Sequence, residues 1–215
     1  MPLLKPSARR PGRPPKALAS PFDTRETLVR LGTEILTEKG FLSTGIDELL
    51  KRAGVPKGSF YHYFASKEAF GLAVIDNYAT YFARRLDRNL LDETQTPLQR
   101  LKNFVVDGKS GMARFDFRRG CLIGNMGQEL GAGHEGFRLR LDQVLMDWQS
   151  RVASCLEAAK EANELAPEAD CQQLAAFFWI GWEGAVLRAK LVRNADPMEL
   201  FAGYFFAALP RPTPL

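Results

Sequence analysis

Apolar residues recur every three or four positions along most of this chain, which is the spacing of amphipathic helices. The clearest run covers residues 137–159, where seven apolar side chains follow at intervals of 4, 4, 3, 4, 3 and 4 residues. No segment alternates between apolar and polar residues with a period of two, so the pattern predicts no strand. We therefore predict an all-α fold of about nine helices.

Residues that begin and end helices divide this pattern. Asp23 opens a capping box before the first helix, and Thr44 is predicted to cap a second helix that ends at Gly54. A very short third helix is predicted over residues 57–64, and Ser66 is predicted to cap a fourth. Three short helices, the last two joined by a tight turn, are typical of a helix-turn-helix DNA-reading unit.

The same signals predict three parts of the chain. Residues 1–21 hold six of the thirteen prolines and five basic residues with no acid, which predicts a flexible basic arm. Residues 22–68 are assigned to a DNA-binding domain, and residues 69–215 to a larger ligand-binding and dimerisation domain. Within this body, residues 174–189 are apolar nearly all round, so they are predicted to be buried on several sides. Residues 177–187 are predicted to form a homodimer interface together with residues 198–209.

The composition limits the class of protein. Apolar residues at 46% and charged residues at 25% fit a globular chain, and no apolar run reaches the ~18 residues of a membrane span. The three cysteines are odd in number and widely spaced, which favours a reducing compartment and predicts no metal site. We expect a cytoplasmic protein with no membrane partner and no cofactor.

Positive charge is concentrated near the N-terminus. Residues 1–67 carry 12 Lys and Arg against 6 Asp and Glu, a balance of +6, whereas residues 68–215 carry 17 against 19, a balance of −2. Clustered cations favour a polyanion partner, because binding releases the counterions of its phosphates. Charge alone leaves a solvated basic face equally open.

The predicted third helix has a composition that suits DNA. Phe60 and Phe64, four residues apart, can face the core, which directs the other side chains outward. Their hydroxyl and imidazole donors can reach phosphate oxygens, and their ring edges can touch thymine methyl groups. Gly58 would let the helix N-terminus approach a phosphate closely. The outward residues are Ser59, Tyr61, His62 and Tyr63.

Residues 54–68, GVPKGSFYHYFASKE, resemble the recognition segment of the TetR family of transcriptional regulators, and the likeness extends over residues 24–78. The resemblance implies a homodimer that binds double-stranded operator DNA through a three-helix head. It also implies a divergent body that binds a small-molecule inducer. The DNA contacts carried over by position are Tyr61, for a base, His62, Tyr63 and Lys67, for phosphates, and Thr44, Lys57 and Ser59.

The N-terminal arm adds a second candidate contact with DNA. Residues 9–16, RRPGRPPK, resemble an AT-hook, whose extended Gly-Arg-Pro core can lie in the narrow minor groove of A·T-rich DNA. Arg13 would be the inserted side chain. A basic arm that is only solvated remains the alternative.

Cys121 stands apart from the other cysteines as a candidate sensor. It follows Arg118 and Arg119 and immediately precedes the predicted helix Leu122–Leu130. Cationic neighbours and a helix N-terminus both lower the pKa of a thiol, so this position predicts a reactive thiolate. A packing role for Cys121 remains open.

Residues 120–122 (GCL) and 187–190 (LRAK) resemble the branch of the family that includes the N-ethylmaleimide-responsive and acrylate-responsive repressors. In that branch, reactive electrophiles or small unsaturated acids relieve repression. The resemblance implies a sensor cysteine at Cys121 and a nearby lysine at Lys190, whose amine would trap an oxidised sulfur. The predicted ligand-binding and sensor residues are Cys121, Lys190, Trp148, Trp182, Glu183 and three arginines able to hold a carboxylate, Arg118, Arg119 and Arg188.

The resemblance to the family implies a repressor that binds a palindromic operator as a dimer, and we expect no enzyme activity; the residues alone leave open whether the regulator represses or activates. A ligand in the body would shift the helix over residues 66–88 and move the two recognition helices out of register. One alternative is an enzyme with Cys121 as nucleophile, although no phosphate loop or dinucleotide fingerprint is present and nothing in the sequence marks a general base. The other is an architectural DNA-binding protein that uses the arm alone.

Overall fold

The computed structural model describes residues 21–212, which form nine α-helices and, within that range, no strand. The all-α prediction is confirmed. The predicted arm, with Arg13, lies outside these residues. The helices are α1 Pro21–Lys39, α2 Ile46–Ala53, α3 Lys57–Tyr63, α4 Lys67–Leu90, α5 Pro97–Ala113, α6 Leu122–Leu130, α7 Glu135–Glu161, α8 Cys171–Val192 and α9 Asp196–Ala208.

Helices α1, α2 and α3 form a small head, which is the predicted DNA-reading unit. α2 ends at Gly54, whose φ of +67° lies in the left-handed region that favours glycine, and the chain turns there into α3. Phe60 of α3 is fully buried and packs against Phe64 and Phe70 with ring centroids 5.4 and 5.5 Å apart. Because Phe70 belongs to α4, the core of the head includes the first turn of that helix.

Two predicted helix starts differ from the structure. α1 begins before the predicted capping box. Thr44 does not cap α2: the N-cap position is Gly45, and the Thr44 hydroxyl donates instead to the carbonyl oxygen of Gly40 at 2.7 Å. Ser66 does cap α4 as predicted, since its hydroxyl oxygen accepts from a backbone N–H in the first turn at 3.1 Å.

Helices α4 to α9 form the larger body. Trp148 on the apolar stripe of α7 is fully buried and packs against Phe82 of α4 and Trp179 of α8, with ring centroids 4.3 and 5.2 Å apart. α8 buries Phe178, Trp179 and Trp182 in this core, whereas Phe177 and Ile180 point away from it. None of the helices described here is both long and apolar enough to cross a bilayer.

Helix α6 connects the body to the head. The Asn125 side-chain amide donates to the carbonyl oxygen of Thr37 in the last turns of α1 at 3.1 Å. The Glu129 carboxylate accepts from the backbone N–H of Leu42, just after α1, at 2.8 Å. Since Cys121, Asn125 and Glu129 follow at four-residue intervals, they lie along one face of the helix. This face runs from the candidate sensor to the small head.

Candidate functional site

The outer face of α3 presents aromatic and basic side chains to solvent. Tyr61 is 53% exposed, His62 and Lys57 are exposed, and Tyr63 is half-buried. Packing holds the rings in place: Tyr61 lies edge-on to Phe60 with centroids 5.4 Å apart, and His62 lies edge-on to Tyr63 at 4.9 Å. A rigid, exposed aromatic surface of this kind suits a macromolecular partner, because little side-chain entropy is lost on contact.

The first turn of α3 is open and basic. A Cβ added to Gly58 would meet no atom within 4 Å, so the protein's own packing does not require glycine there. Lys57 Nζ lies 3.0 Å from a carboxylate oxygen of Asp47, which raises the pKa of Lys57. An exposed pair of this kind stabilises the fold little, so Lys57 can exchange Asp47 for a phosphate. Ser59 is half-buried at the same turn.

Two other predicted DNA contacts, Thr44 and Lys67, are less exposed than Tyr61 of α3. Thr44 is 4% exposed and its hydroxyl is bonded to the Gly40 carbonyl, so the predicted DNA contact through this side chain is withdrawn. Lys67 is half-buried at the start of α4, where its Nζ lies 4.6 Å above the ring of Phe41. Lys67 stays a predicted phosphate contact.

A cavity of about 1370 Å³ opens between α1 and α4 and extends into the body. Charged residues of α1 and α4 line its exposed rim, whereas its inner wall is formed by helices α4, α5, α8 and α9. It is larger than the several hundred Å³ that a small ligand usually needs, because it combines a groove with an internal pocket. The inner residues are Tyr78, Phe82, Phe104, Met112, Cys121, Trp182, Glu183, Val186 and Met198.

Cys121 lies at the buried end of this cavity, at the N-cap of α6. Burial raises the pKa of its thiol well above the usual range, and the Glu183 carboxyl beside it acts in the same direction. Hydrogen bonds from the backbone N–H groups of Gly124 and Ile123 lower that pKa but do not compensate. The predicted lowering of the Cys121 pKa is therefore wrong: the helix N-terminus acts as expected, and burial outweighs it.

The Glu183 carboxyl, on α8, is the polar partner of this thiol. A Cβ added to Gly124 would approach Glu183 Oε2 within 2.2 Å, so glycine at this turn of α6 makes room for the carboxyl. Burial raises the pKa of Glu183 to about 7, while a hydrogen bond with Cys121 acts in the opposite direction. On the α4 side, burial and the proximity of Cys121 and Glu183 raise the pKa of Tyr78. Three helices thus bring three titratable groups together.

Lys190 lines a narrow space that Cys121 and Glu183 also line. Its Nζ donates to the carbonyl oxygen of Thr37 at 3.4 Å, so the amine is directed towards α1. Burial lowers the pKa of Lys190, which increases the share of neutral amine.

Only one of the three arginines that were predicted to hold a carboxylate lines the cavity. Arg119 lines the cavity, with its guanidinium 4.2 Å from the ring centroid of Phe115 and 3.8 Å from the Glu34 carboxylate. Arg118 and Arg188 are exposed and lie outside the cavity lining, so their predicted role in holding a carboxylate is withdrawn. Arg119 remains the candidate for that role.

The two tryptophans that were predicted to contact a ligand also differ in position. Trp182 lines the cavity, whereas Trp148 is fully buried in the core and does not line it, so its predicted ligand contact is withdrawn. Sequence reasoning missed Tyr78, Asn125 and Glu129. Asn125 and Glu129 follow Cys121 by four and eight residues, and this spacing could have indicated that they share one face of the helix with it.

A helix-turn-helix head on a helical body that contains a cavity is the architecture of ligand-responsive DNA-binding regulators. Residues 28–74 match the family model for bacterial regulatory proteins of the tetR family, and residues 97–205 match that for the tetracyclin repressor-like C-terminal domain. The chain belongs to the TetR family, and it is a DNA-binding transcriptional regulator.

Named relatives agree with this assignment. The chain is 52% identical to the transcriptional regulator AcuR of Cereibacter sphaeroides over 202 residues, which cover 94% of this chain and 90% of AcuR. It is 32% identical to the HTH-type transcriptional repressor NemR of Escherichia coli over 177 residues, which cover 82% of this chain and 89% of NemR.

Solved structures confirm the fold. The crystal structure of regulatory protein TetR from Rhodobacter sphaeroides matches with a TM-score of 0.84 at 52% identity, over 86% of this chain and 98% of that one. The reduced form of NemR from Escherichia coli matches with a TM-score of 0.79 at 31% identity, over 89% of this chain and 100% of that one.

Proposed function

We propose that this protein is a dimeric repressor that binds a palindromic operator and releases it when a small electrophile, such as an unsaturated acid, reacts at Cys121. The observation that carries the proposal is the position of Cys121 at the buried end of a cavity that opens between α1 of the head and α4 of the body. The name of the relative NemR, an HTH-type transcriptional repressor, supports repression.

The DNA contacts of the proposal lie on α3 and its neighbours. Tyr61 contacts a base, and the other side chains and the open turn at Gly58 contact phosphates. The two copies of α3 in a dimer sit about 34–36 Å apart, in successive major grooves. The proposed phosphate and groove contacts are Lys57, Ser59, His62, Tyr63 and Lys67, with Arg13 of the arm in the minor groove.

An inducer panel tests the proposal. Acrylate and acrylamide should release an operator selected from random duplexes, whereas propionate, the saturated counterpart of acrylate, should not. Acrylate should act at lower concentration than acrylamide if Arg119 holds its carboxylate. Equal release by propionate would contradict a covalent sensor. Continuous formation of product from acrylamide would favour the alternative of an enzyme.

The proposed dimer interface is the exposed apolar face of α8 and α9. Ile180 of α8 and Tyr204 of α9 are 75% and 74% exposed in the single chain, and Phe177 and Leu200 are exposed beside them. Large apolar side chains at this density favour burial against another molecule. A second copy of the same face would form a four-helix interface across a two-fold axis.

We expect Ile180→Arg to dissociate the dimer, because it would place one buried cation from each copy near the two-fold axis. Operator affinity should fall by about 10²-fold or more, since the two heads would no longer bind as one unit. Light scattering measures the mass and fluorescence anisotropy the affinity. Leu91→Arg, at an exposed apolar residue after α4, is the matched control. An Ile180→Arg dimer with unchanged affinity would contradict this interface.

The contacts of α6 support a route from Cys121 to the head. An adduct at the N-cap of α6 would add bulk directly beside that helix, and Asn125 and Glu129 join the same helix to the end of α1. Gly40 is fitted to this contact: its φ is +89°, and a Cβ there would approach Glu129 Oε1 within 1.9 Å. This route would transmit the signal to the head in addition to the proposed movement of α4.

We expect Glu129→Ala to weaken the response without abolishing operator binding. Losing the carboxylate bond to the Leu42 N–H should reduce the drop in affinity on alkylation by about tenfold, or about 1.4 kcal/mol of coupling. Operator affinity with and without acrylamide measures this drop. Glu129→Gln keeps an acceptor oxygen and is the control. A full response in Glu129→Ala would rule out this contact as a route.

A further inference from the structure

The surroundings of Cys121 raise a question of proton transfer. Addition of a thiol to an unsaturated carbonyl compound requires a base that removes the thiol proton and an acid that protonates carbon. Burial raises the pKa of the Cys121 thiol, so spontaneous ionisation supplies little thiolate. No general base is marked in the sequence near Cys121. In the folded protein, the Glu183 carboxyl lies over the first turn of α6, next to Cys121.

We propose that Glu183 is the proton carrier for covalent capture of an α,β-unsaturated carbonyl compound by Cys121. The inference rests on the proposed reaction at Cys121. Glu183 accepts the thiol proton as Sγ bonds to the β-carbon, the π electron pair moves to the α-carbon, and Glu183 then returns the proton to that carbon. One S–C and one C–H bond form, one S–H bond and one C=C π bond break, nothing is oxidised or reduced, and no group leaves.

The geometry favours this role in three respects. A Cβ on Gly124 would lie 2.2 Å from Glu183 Oε2 and 3.8 Å from Cys121 Cβ, so the carboxyl sits over the first turn of α6 beside the thiol. Cys121 and Glu183 line the same cavity and also the narrow space that adjoins it. Among residues 21–212, no Lys, Arg or His forms an ion pair with Glu183. The carboxyl is therefore available for proton transfer.

The electrostatics of the pocket agree. Because burial raises the pKa of Glu183 to about 7, both its ionised and protonated forms are populated near neutral pH. Cys121 and Tyr78 have raised pKa values and titrate above Glu183. Apart from the charged and tyrosine residues of the rim on α1 and α4, the titratable and charged groups that line the cavity with Glu183 are Tyr78 and Arg85 on α4 and Arg119 and Cys121 just before α6. Lys190 on α8 lines the adjoining narrow space.

The test is the rate at which acrylamide alkylates Cys121 in the full chain, followed by intact mass and peptide mapping between about pH 5.5 and pH 8.5. The wild-type rate should rise through a step near the Glu183 pKa of about 7, as the carboxylate forms. Glu183→Gln should lose that step and react about a hundredfold more slowly near pH 7. Glu183→Asp keeps a carboxyl and should restore part of the rate. Glu161→Gln removes an exposed carboxylate at the end of α7 and is the matched control.

An unchanged rate and pH profile in Glu183→Gln would overturn the role of Glu183. If that variant does not fold, the wild-type and Glu183→Asp profiles decide: a step in both supports the proton carrier, and its absence from wild type overturns it. Operator release is scored separately, because alkylated protein that stays on the operator contradicts the proposed function and not the role of Glu183. A wild-type Cys121 that takes no label overturns both.

Discussion

Tyr61→Ala is expected to abolish sequence-specific operator binding while leaving the dimer intact. Tyr61 is more than half exposed on α3 and packs along Phe60, so its removal takes little from the core. A specific base contact contributes about 1–3 kcal/mol, and the proposed dimer would make it twice, so specific binding should weaken by about 2–6 kcal/mol. That is about 30-fold or more in affinity. Fluorescence anisotropy with the selected operator measures the loss.

Two further variants separate the causes of that loss. Tyr81→Ala removes a tyrosine of similar exposure from α4 and should bind the operator as wild type does. Tyr61→Phe keeps the ring and removes the hydroxyl, which distinguishes a hydrogen bond from a contact with a thymine methyl group. Wild-type affinity in Tyr61→Ala would remove the assignment of α3 as the DNA-reading helix. If wild type and Tyr61→Ala both bind DNA without sequence preference, the alternative of an architectural DNA-binding protein would be favoured.

Cys121→Ser is expected to lose the response to electrophiles while still binding the operator. Serine keeps nearly the same shape at the N-cap of α6, but its hydroxyl is a far weaker nucleophile than a thiol. Alkylation of wild type should lower operator affinity about a hundredfold, which requires about 2.7 kcal/mol of coupling. In Cys121→Ser the change should be less than about twofold, since no adduct forms. Operator titrations with and without acrylamide measure both.

The other cysteines provide matched controls. Cys155 is buried with its Sγ 3.2 Å from the carbonyl oxygen of Pro97, and burial raises its pKa to about 11. Cys171 is buried at the start of α8, where burial raises its pKa as well. Neither lines the cavity. Cys155→Ser and Cys171→Ser should therefore respond as wild type does. An undiminished response in Cys121→Ser would leave Cys121 as a packing residue.

The helices could be predicted from the sequence wherever one apolar stripe is continuous. α6 has the predicted bounds, and α7 extends the predicted run by one turn or less at each end. The outward direction of Tyr61 followed from Phe60 and Phe64, because two large apolar residues four apart fix which side of a short helix is buried. Local spacing was sufficient in these cases.

Features set by contacts between distant helices could not be predicted. The raised pKa of Cys121 depends on burial by α4 and α8, and its carboxyl partner Glu183 comes from another helix. The neighbouring Arg118 and Arg119 led to the prediction of a lowered Cys121 pKa. The sequence does not show which way their side chains point, so it could not show whether they approach the thiol. Thr44 was misassigned for a similar reason: its hydroxyl bonds to the preceding Gly40 carbonyl instead of to α2.

The most direct test of the account is operator affinity measured against the extent of Cys121 alkylation in the same samples. Protein is treated with acrylamide to graded extents, the adduct is quantified by intact mass, and binding to the selected operator is titrated. We predict that specific binding falls in proportion to the labelled fraction, to about one hundredth at one adduct per chain. Undiminished operator binding by fully labelled protein would contradict the account.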